Sequence, residues 1–253
     1  NSNIYNSLPN AKNNTVVIKK KYSKLKLYNK TISYIKENNL NLKIQEEKLN
    51  YQLLQSQINP HFLYNNLSAI NWLAIDCGEE KISEITTEMA TFYRTALNKG
   101  KTMDSISVEI ANIQAYINLQ LIAHENSFQA EYQFDEKIYS YTIPTFILQP
   151  LVENAIEHGI DELPERKGKI EIRIYCSEKE LFLEVHDNGK ELYEKIGDSC
   201  LPVEEYGYGT SNVNRRIQLL YGKEYGLQIF ADVSGTTSRI RLSREELKKN
   251  IQL

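Results

Sequence analysis

The sequence has few cysteines, and no two of them are spaced for a structural role. Its 3 cysteines, Cys77, Cys176 and Cys200, lie far apart and form no C-x-x-C pair. This spacing indicates neither a disulfide framework nor a structural zinc site, and it favours a reducing compartment.

Long apolar runs and an excess of positive charge are also absent. No stretch reaches the about 18 apolar residues of a membrane-spanning helix, and the first residues lack the plan of a signal peptide. We therefore expect a soluble piece, and the start at Asn1 rather than Met is consistent with a part of a longer protein. The net charge of -3 offers no broad basic surface, which argues against nucleic-acid binding.

The N-terminal third has helical patterns. Between about Lys20 and Gln57 there is no Gly or Pro, and apolar residues recur at heptad spacing at Tyr28, Ile35, Leu42 and Leu49. This pattern predicts a two-stranded coiled coil, with a single solvated helix as the alternative. The helical pattern continues to about Ile75 and resumes from about Lys81 to Leu97, which predicts a helical hairpin.

An amphipathic stretch from Ser107 to about His124 follows the hairpin and is placed to bridge the two halves of the chain. After Phe128, alternating segments predict strands at residues 130–134, 170–175, 181–185, 227–230 and 238–242. Residues 145–158 and 210–221 read as helices. The pattern predicts an α+β fold with one face of the sheet covered and a boundary near residue 128.

A histidine beside a proline is the first motif with chemical potential. In Asn59-Pro60-His61-Phe62, the proline costs roughly 3 kcal/mol if it lies inside a helix, so a functional reason is expected. His61 is a competent nucleophile when neutral, and Asn65 lies on the same helical face, where it can position a water or a phosphoryl oxygen. For a histidine taken alone, a packed or solvated role is the alternative.

A polar stripe on an apolar helix is the second motif. Asn154 and His158 are four residues apart and share a face, while Leu151 and Ala155 can pack on a sheet. This arrangement suits a ligand, and simple hydrogen bonding or capping is the alternative.

Two glycine-containing motifs follow. Asp187 and Gly189 end a strand, where the carboxylate can accept a hydrogen bond from an amine, although Asp-Asn-Gly is also a common turn. Gly207 and Gly209 precede a helix and can present backbone N–H groups to anionic oxygens, with Arg215-Arg216 adding charge.

The order of these motifs resembles that of sensor histidine kinases of the LytS/YesM type, in which the phosphoacceptor motif reads N-P-H-F-L-Y-N. The similarity runs from about Gln55 to Leu242 and includes, in order, His61, Asn154, Asp187 with Gly189, Gly207 with Gly209, and Gly235-Thr236-Thr237. It implies a coiled-coil helix and tail over residues 1–54, a dimerisation and phosphotransfer hairpin over 55–128, a GHKL-type (Bergerat) ATP-binding α/β sandwich over 129–246, and a tail over 247–253.

The resemblance also implies roles for individual residues. Asn154 would bind Mg²⁺ beside the phosphates of ATP, and His158 would contact a phosphate. The lid over the triphosphate would hinge at Gly207 and Gly209. At the other end of the nucleotide, Asp187 would bind the adenine amine in a pocket that Gly189 shapes and Thr237 supports.

By this resemblance the protein is an ATP-dependent protein-histidine kinase that phosphorylates His61 and passes the phosphoryl group to a response regulator. It would act as a homodimer in the cytoplasm, anchored to the plasma membrane only by segments not in this chain. Phe62 follows His61 where many histidine kinases have an acidic residue, so Glu153 is the hypothetical base.

Two departures leave alternatives open. Lys190-Glu191 replaces the usual second glycine after Gly189, and Ala123-His124-Glu125-Asn126 replaces a segment that usually contains arginine. A degenerate ATP-binding or dimerising scaffold is therefore the main alternative. An ATPase or chaperone of the same superfamily is disfavoured, because Pro150 occupies the position of the glutamate that activates water.

Overall fold

A computed structural model of the chain describes residues 59–97, 101–161, 163, 168–201, 203 and 207–250. The predicted N-terminal tail and coiled coil lie outside these residues. Within the described ranges, no helix is both long enough and apolar enough to cross a membrane.

The predicted hairpin consists of α1 (Pro60–Cys77) and α2 (Glu80–Ala96). The Asn59 side chain caps α1 by accepting from the backbone N–H groups of His61 and Phe62. Pro60 is thus the first residue of the helix, where its missing N–H has no cost, and the penalty expected for a proline inside a helix does not apply. Gly78 ends α1 in the left-handed region, with φ 73°.

The second half of the chain is built on a six-stranded mixed sheet in the order β2-β4-β5-β8-β7-β6. Its strands are β2 (Phe128–Phe134), β4 (Gly168–Cys176), β5 (Glu180–Asp187), β6 (Ser199–Leu201), β7 (Gly226–Asp232) and β8 (Gly235–Ser243). The β2 and β4 strands pair in parallel, and the other neighbours pair antiparallel. A separate two-stranded sheet pairs β1 (Met103–Ser105) with β3 (Thr142–Pro144).

Strict alternation explains why one face of the sheet is covered. Along β4, Ile170, Ile172 and Ile174 are fully buried, whereas the intervening polar residues are partly exposed. The helices in the same buried core are α3 (Ile106–Ala123), α4 (Gln149–Asn154) with the π-helical segment Ala155–Ile160, and α6 (Tyr208–Tyr221). The predicted α+β fold with one covered face is confirmed.

The α3 helix joins the hairpin to the sheet. Four of its isoleucines, Ile106, Ile110, Ile113 and Ile117, belong to the core of the sheet. On its other side Asn112 donates to the Thr95 hydroxyl and Asn118 donates to Glu88 on α2. The structure also adds two short helices, α5 (Glu191–Ile196) and α7 (Arg244–Asn250). Leu247 in α7 is fully buried, so the segment predicted to be a tail from residue 247 begins inside a packed helix.

Candidate functional site

The exposed first turn of α1 carries His61. Asn65, one turn later, places its amide nitrogen 3.3 Å from the His61 Nδ1 atom. With the amide turned, its oxygen would accept a hydrogen bond from the Nδ1–H group, and Nε2 would then keep its lone pair. The two side chains therefore contact each other on one face of α1, as their spacing of four residues predicts.

Asp187 ends β5 under the covering helices, and its side chain is 3% exposed. One carboxylate oxygen accepts from the Gly189 N–H at 2.9 Å. Burial raises the pKa of the Asp187 carboxyl to about 7, and the Gly189 hydrogen bond only partly opposes this rise. A buried carboxylate with spare acceptor capacity suits a ligand that brings an N–H donor.

Three glycines surround Asp187 so closely that no side chain fits in their place. A Cβ atom on Gly159 would lie 2.3 Å from the Asp187 Oδ1 atom, and one on Gly235 would lie 1.8 Å from its carbonyl oxygen. A Cβ atom on Gly189 would lie 2.4 Å from the Gly159 Cα atom. Gly189 therefore packs closely on Gly159, and Gly159 packs on the Asp187 carboxylate from the π-helical segment, a contact that the sequence did not predict.

The hydroxyl beside Asp187 comes from Thr236 and not from the predicted Thr237. In the antiparallel pair of β5 and β8, Asp187 lies opposite Thr236 and His186 lies opposite Thr237. Directly opposed residues share a face of the sheet, so Thr237 is on the other face, where its hydroxyl lies 3.0 Å from His186 Nδ1. The assignment of Thr237 to the pocket is wrong by one residue, which in a strand means the wrong face.

The helix predicted to carry the polar stripe is interrupted. Asn154 ends α4 and is half-buried, and His158 is exposed on the π-helical segment that follows. Glu153 accepts from Gln149, one turn earlier on α4, at 2.8 Å. Burial, followed by the charges of Glu153 and Glu157, raises the pKa of Tyr116 on α3 to about 12.

Gly207 and Gly209 stand exposed at the start of α6, as the sequence predicts. Gly207 has φ 138°, a conformation that favours glycine. A Cβ atom on Gly209 would lie 3.5 Å from the Pro150 side chain, so the glycine segment borders α4. Arg215 is exposed, but the half-buried Arg216 donates to the Thr145 carbonyl, and its guanidinium is committed to that segment.

These groups fit a nucleoside triphosphate with a magnesium ion. Asp187 and Thr236 lie opposite each other on the covered face of the sheet, where a base could bind, and Gly207 with Gly209 can cover an anionic chain. Among the described residues, no group of three or more His, Cys, Asp or Glu side chains is placed to hold a metal. Mg²⁺ is commonly bound by few protein ligands together with substrate phosphates, and the Asn154 amide oxygen is a suitable ligand of that kind.

Comparison with known proteins divides the chain into two matched regions. Residues 49–128 match the family model described as histidine kinase. Residues 143–246 match the model described as histidine kinase-, DNA gyrase B-, and HSP90-like ATPase.

Two curated relatives are similar over most of this chain. The sensor histidine kinase YesM of Bacillus subtilis is 30% identical over 80% of this chain and 34% of its own length. The sensor protein LytS of Staphylococcus saprophyticus is 32% identical over 72% of this chain and 32% of its own length. The chain thus spans about a third of these relatives. Among solved structures, the catalytic domain of the histidine kinase ThkA is similar, with 18% sequence identity and a TM-score of 0.40. The matched region covers 56% of this chain and 96% of the ThkA domain.

Proposed function

This chain belongs to the sensor histidine kinases of the LytS/YesM type, and we propose that it transfers the γ-phosphoryl group of ATP to His61. The observation that carries the proposal is that one chain combines an exposed His61, in contact with Asn65, and the Asp187 pocket of an ATPase-type domain. The match covers only about a third of the length of these relatives, so the activity is proposed for this part of the protein.

The transfer to His61 follows from the chemistry of a neutral imidazole. The lone pair on Nε2 attacks the γ-phosphorus in line, the bond to the bridging oxygen breaks, and its electrons leave with ADP. A positive charge then develops on the ring and is relieved when the Nδ1 proton is lost. The Asn65 amide lies 3.3 Å from Nδ1 through its nitrogen. With the amide turned, its oxygen would accept a hydrogen bond from Nδ1–H and favour the tautomer in which Nε2 is nucleophilic.

The remaining predicted residues have places in this scheme. We propose that Asp187 accepts a hydrogen bond from the adenine amine with Thr236 beside it, and that His158, Gly207 and Gly209 contact the phosphates. Asn154 would hold Mg²⁺, which neutralises charge on the phosphates when bound. Glu153 stays the hypothetical base.

We also propose that the protein acts as a homodimer through the hairpin and passes its phosphoryl group to a response regulator. Large apolar side chains on α1 favour a protein contact, because Trp72 is 74% exposed, Leu73 is 65% exposed and Ile75 is 60% exposed. Attachment of the whole protein to a membrane through segments outside this chain, with this part on the cytoplasmic side, stays a prediction from the family.

Labelling with γ-³²P ATP and Mg²⁺ tests the proposal. We expect an acid-labile, base-stable phosphoprotein from the unaltered chain and none from His61→Gln or Asn154→Ala. The exposed neighbour Asn66, changed to Ala, is a matched control that should leave labelling intact. Labelled His61→Gln would refute the assignment, whereas ATP binding without any label in the unaltered chain would favour the degenerate scaffold.

A further inference from the structure

We propose that Glu109 and Arg216 are positioning residues of the nucleotide site, which both bind the segment 145–148 and thereby fix Asn154. The inference rests on the proposed function, because it assigns a purpose to contacts made behind the helix that carries Asn154. Neither residue needs to touch the nucleotide.

Glu109 reaches this segment from α3. Its Oε1 atom accepts from the backbone N–H groups of Ile147 at 2.8 Å and Leu148 at 2.9 Å, and its Oε2 atom accepts from Phe146 at 2.9 Å. The side chain is 4% exposed. One carboxylate thus satisfies three successive N–H groups in the residues immediately before α4.

A buried carboxylate is a costly way to hold a loop. Burial raises the pKa of the Glu109 carboxyl, while the three backbone hydrogen bonds and the charge of Arg216 act in the opposite direction. Phe146 also has φ 55°, in the left-handed region that non-glycine residues rarely adopt. Strain of this kind persists only where surrounding contacts over-determine the backbone, and Glu109 supplies such contacts.

Arg216 binds the same segment from a helix that comes later in the chain, whereas Glu109 comes before the segment. It lies on α6, which begins at Tyr208 directly after Gly207, and its Nη2 atom donates to the Thr145 carbonyl. Segment 145–148 therefore connects the helix that ends at Asn154 with the helix that begins at the glycine loop. Loss of the contacts made by Glu109 or by Arg216 should displace Asn154 relative to Gly207 and Gly209. The surroundings of Asp187 should stay unchanged.

The test separates positioning of Asn154 from recognition of the base. In the unaltered full chain, Mg²⁺ should strengthen ADP binding in calorimetric titrations, and ATP should label His61. Glu109→Gln replaces one accepting oxygen with an amide NH2 group, which donates, so the side chain cannot satisfy all three N–H groups. We expect its Mg²⁺-dependent gain in ADP affinity to disappear and its labelling rate at saturating ATP to fall by about ten- to a hundredfold. Its ADP affinity without Mg²⁺ should stay within about threefold of the unaltered protein.

Arg216→Gln should give the same pattern, and it decides the question if Glu109→Gln does not fold. The double variant should lose no more of the Mg²⁺-dependent ADP affinity and labelling rate than the more impaired single variant, because both residues act on one segment. The matched control is Glu84→Gln on the exposed face of α2, which should behave like the unaltered chain.

Two failures are distinguishable. If the unaltered chain neither binds ADP nor labels, the proposed function is at fault. If it does both, and folded Glu109→Gln and Arg216→Gln keep the Mg²⁺-dependent gain and the labelling rate, the positioning role is overturned. An equal loss of ADP affinity with and without Mg²⁺ would also overturn it, since that result indicates general loosening of the pocket.

Discussion

Replacing Asp187 by Asn should stabilise the nucleotide-free protein while it abolishes ATP binding. The Asp187 carboxyl has a pKa of about 7 in the folded protein, because burial disfavours its charged form. Its ordinary pKa is about 3.9, so the rise is about 3 pKa units, which corresponds to roughly 4 kcal/mol between the two protonation states.

The direction of the pH effect follows from which state binds the proton. Between about pH 4 and pH 7 the folded protein holds a proton on Asp187 that the unfolded chain has lost. The contribution to stability is therefore fully present below about pH 4 and is lost as the pH rises through about 7. At pH 8 Asp187 is ionised in the folded protein, which is then destabilised by the full cost of burying that charge. The Asp187→Asn variant carries no charge at this position and avoids the cost.

Asparagine keeps an oxygen that accepts from the Gly189 N–H, but its amide NH2 group is a buried donor that needs a partner. Part of the stabilisation is therefore lost. A net stabilisation of about 2 kcal/mol at pH 8 should raise the melting temperature by about 4 to 8 °C for a unit of this size, and the difference should shrink towards pH 5. Thermal unfolding of both proteins at pH 5, 6, 7 and 8 without nucleotide measures it. Asp76→Asn, at an exposed site on α1, is the matched control.

The same carboxylate predicts a pH dependence of ATP affinity in the unaltered protein. If only the ionised form accepts from the adenine amine, affinity at pH 6 should be about tenfold weaker than at pH 8. Asp187→Asn should bind no ATP at either pH, because the amide NH2 group of asparagine would face the amine of adenine, and both groups are donors. A variant that is less stable than the unaltered protein at pH 8, or a stability difference that does not change with pH, would refute this account of the pocket.

Two further predictions concern the inner and outer faces of the sheet. Gly159→Ala should weaken ATP binding by about tenfold or more in titrations, because the added methyl group would occupy space held by the Asp187 carboxylate. Glu184→Gln should lower the free energy of unfolding by about 1 to 2 kcal/mol in urea, since a buried carboxylate bonded to partly exposed Arg173 and Arg239 is lost. ATP affinity should be unchanged in Glu184→Gln, and a loss of affinity would contradict the separation of the two faces.

The strands were the most predictable part of the fold. Residues 170–175 alternate strictly between isoleucine and polar or aromatic residues, and this pattern alone specifies a strand with one buried face. Local patterns do not specify which strands pair, so the parallel pairing of β2 and β4 could not be foreseen. The β1, β3 and β6 strands have three residues each, too few for alternation to stand out.

The start of α4 shows where local reasoning fails. Sequence pattern predicts a helix from Thr145, but α4 begins at Gln149 because Phe146 has φ 55°, outside the right-handed helical region. In that conformation Glu109 accepts from the N–H groups of Phe146, Ile147 and Leu148. The partner is 37 to 39 residues away in the sequence, and a lone glutamate in a helical stretch gives no local sign of such a contact. Motif residues such as His61 and Asn154 were recognisable by resemblance, whereas residues that position them were not.

Thr236 and Thr237 provide the sharpest comparison, because adjacent residues in a strand point to opposite faces. Thr236 lies opposite Asp187, and Thr237 lies opposite His186 and contacts its ring nitrogen. Valine conserves the shape of threonine and removes its hydroxyl. Thr236→Val should therefore weaken ATP binding by about threefold to tenfold, as expected for one lost hydrogen bond. Thr237→Val should leave ATP affinity unchanged while it alters the NMR titration of His186. The opposite result in calorimetry would return the pocket hydroxyl to Thr237 and would mean that β8 pairs with β5 in a register shifted by one residue.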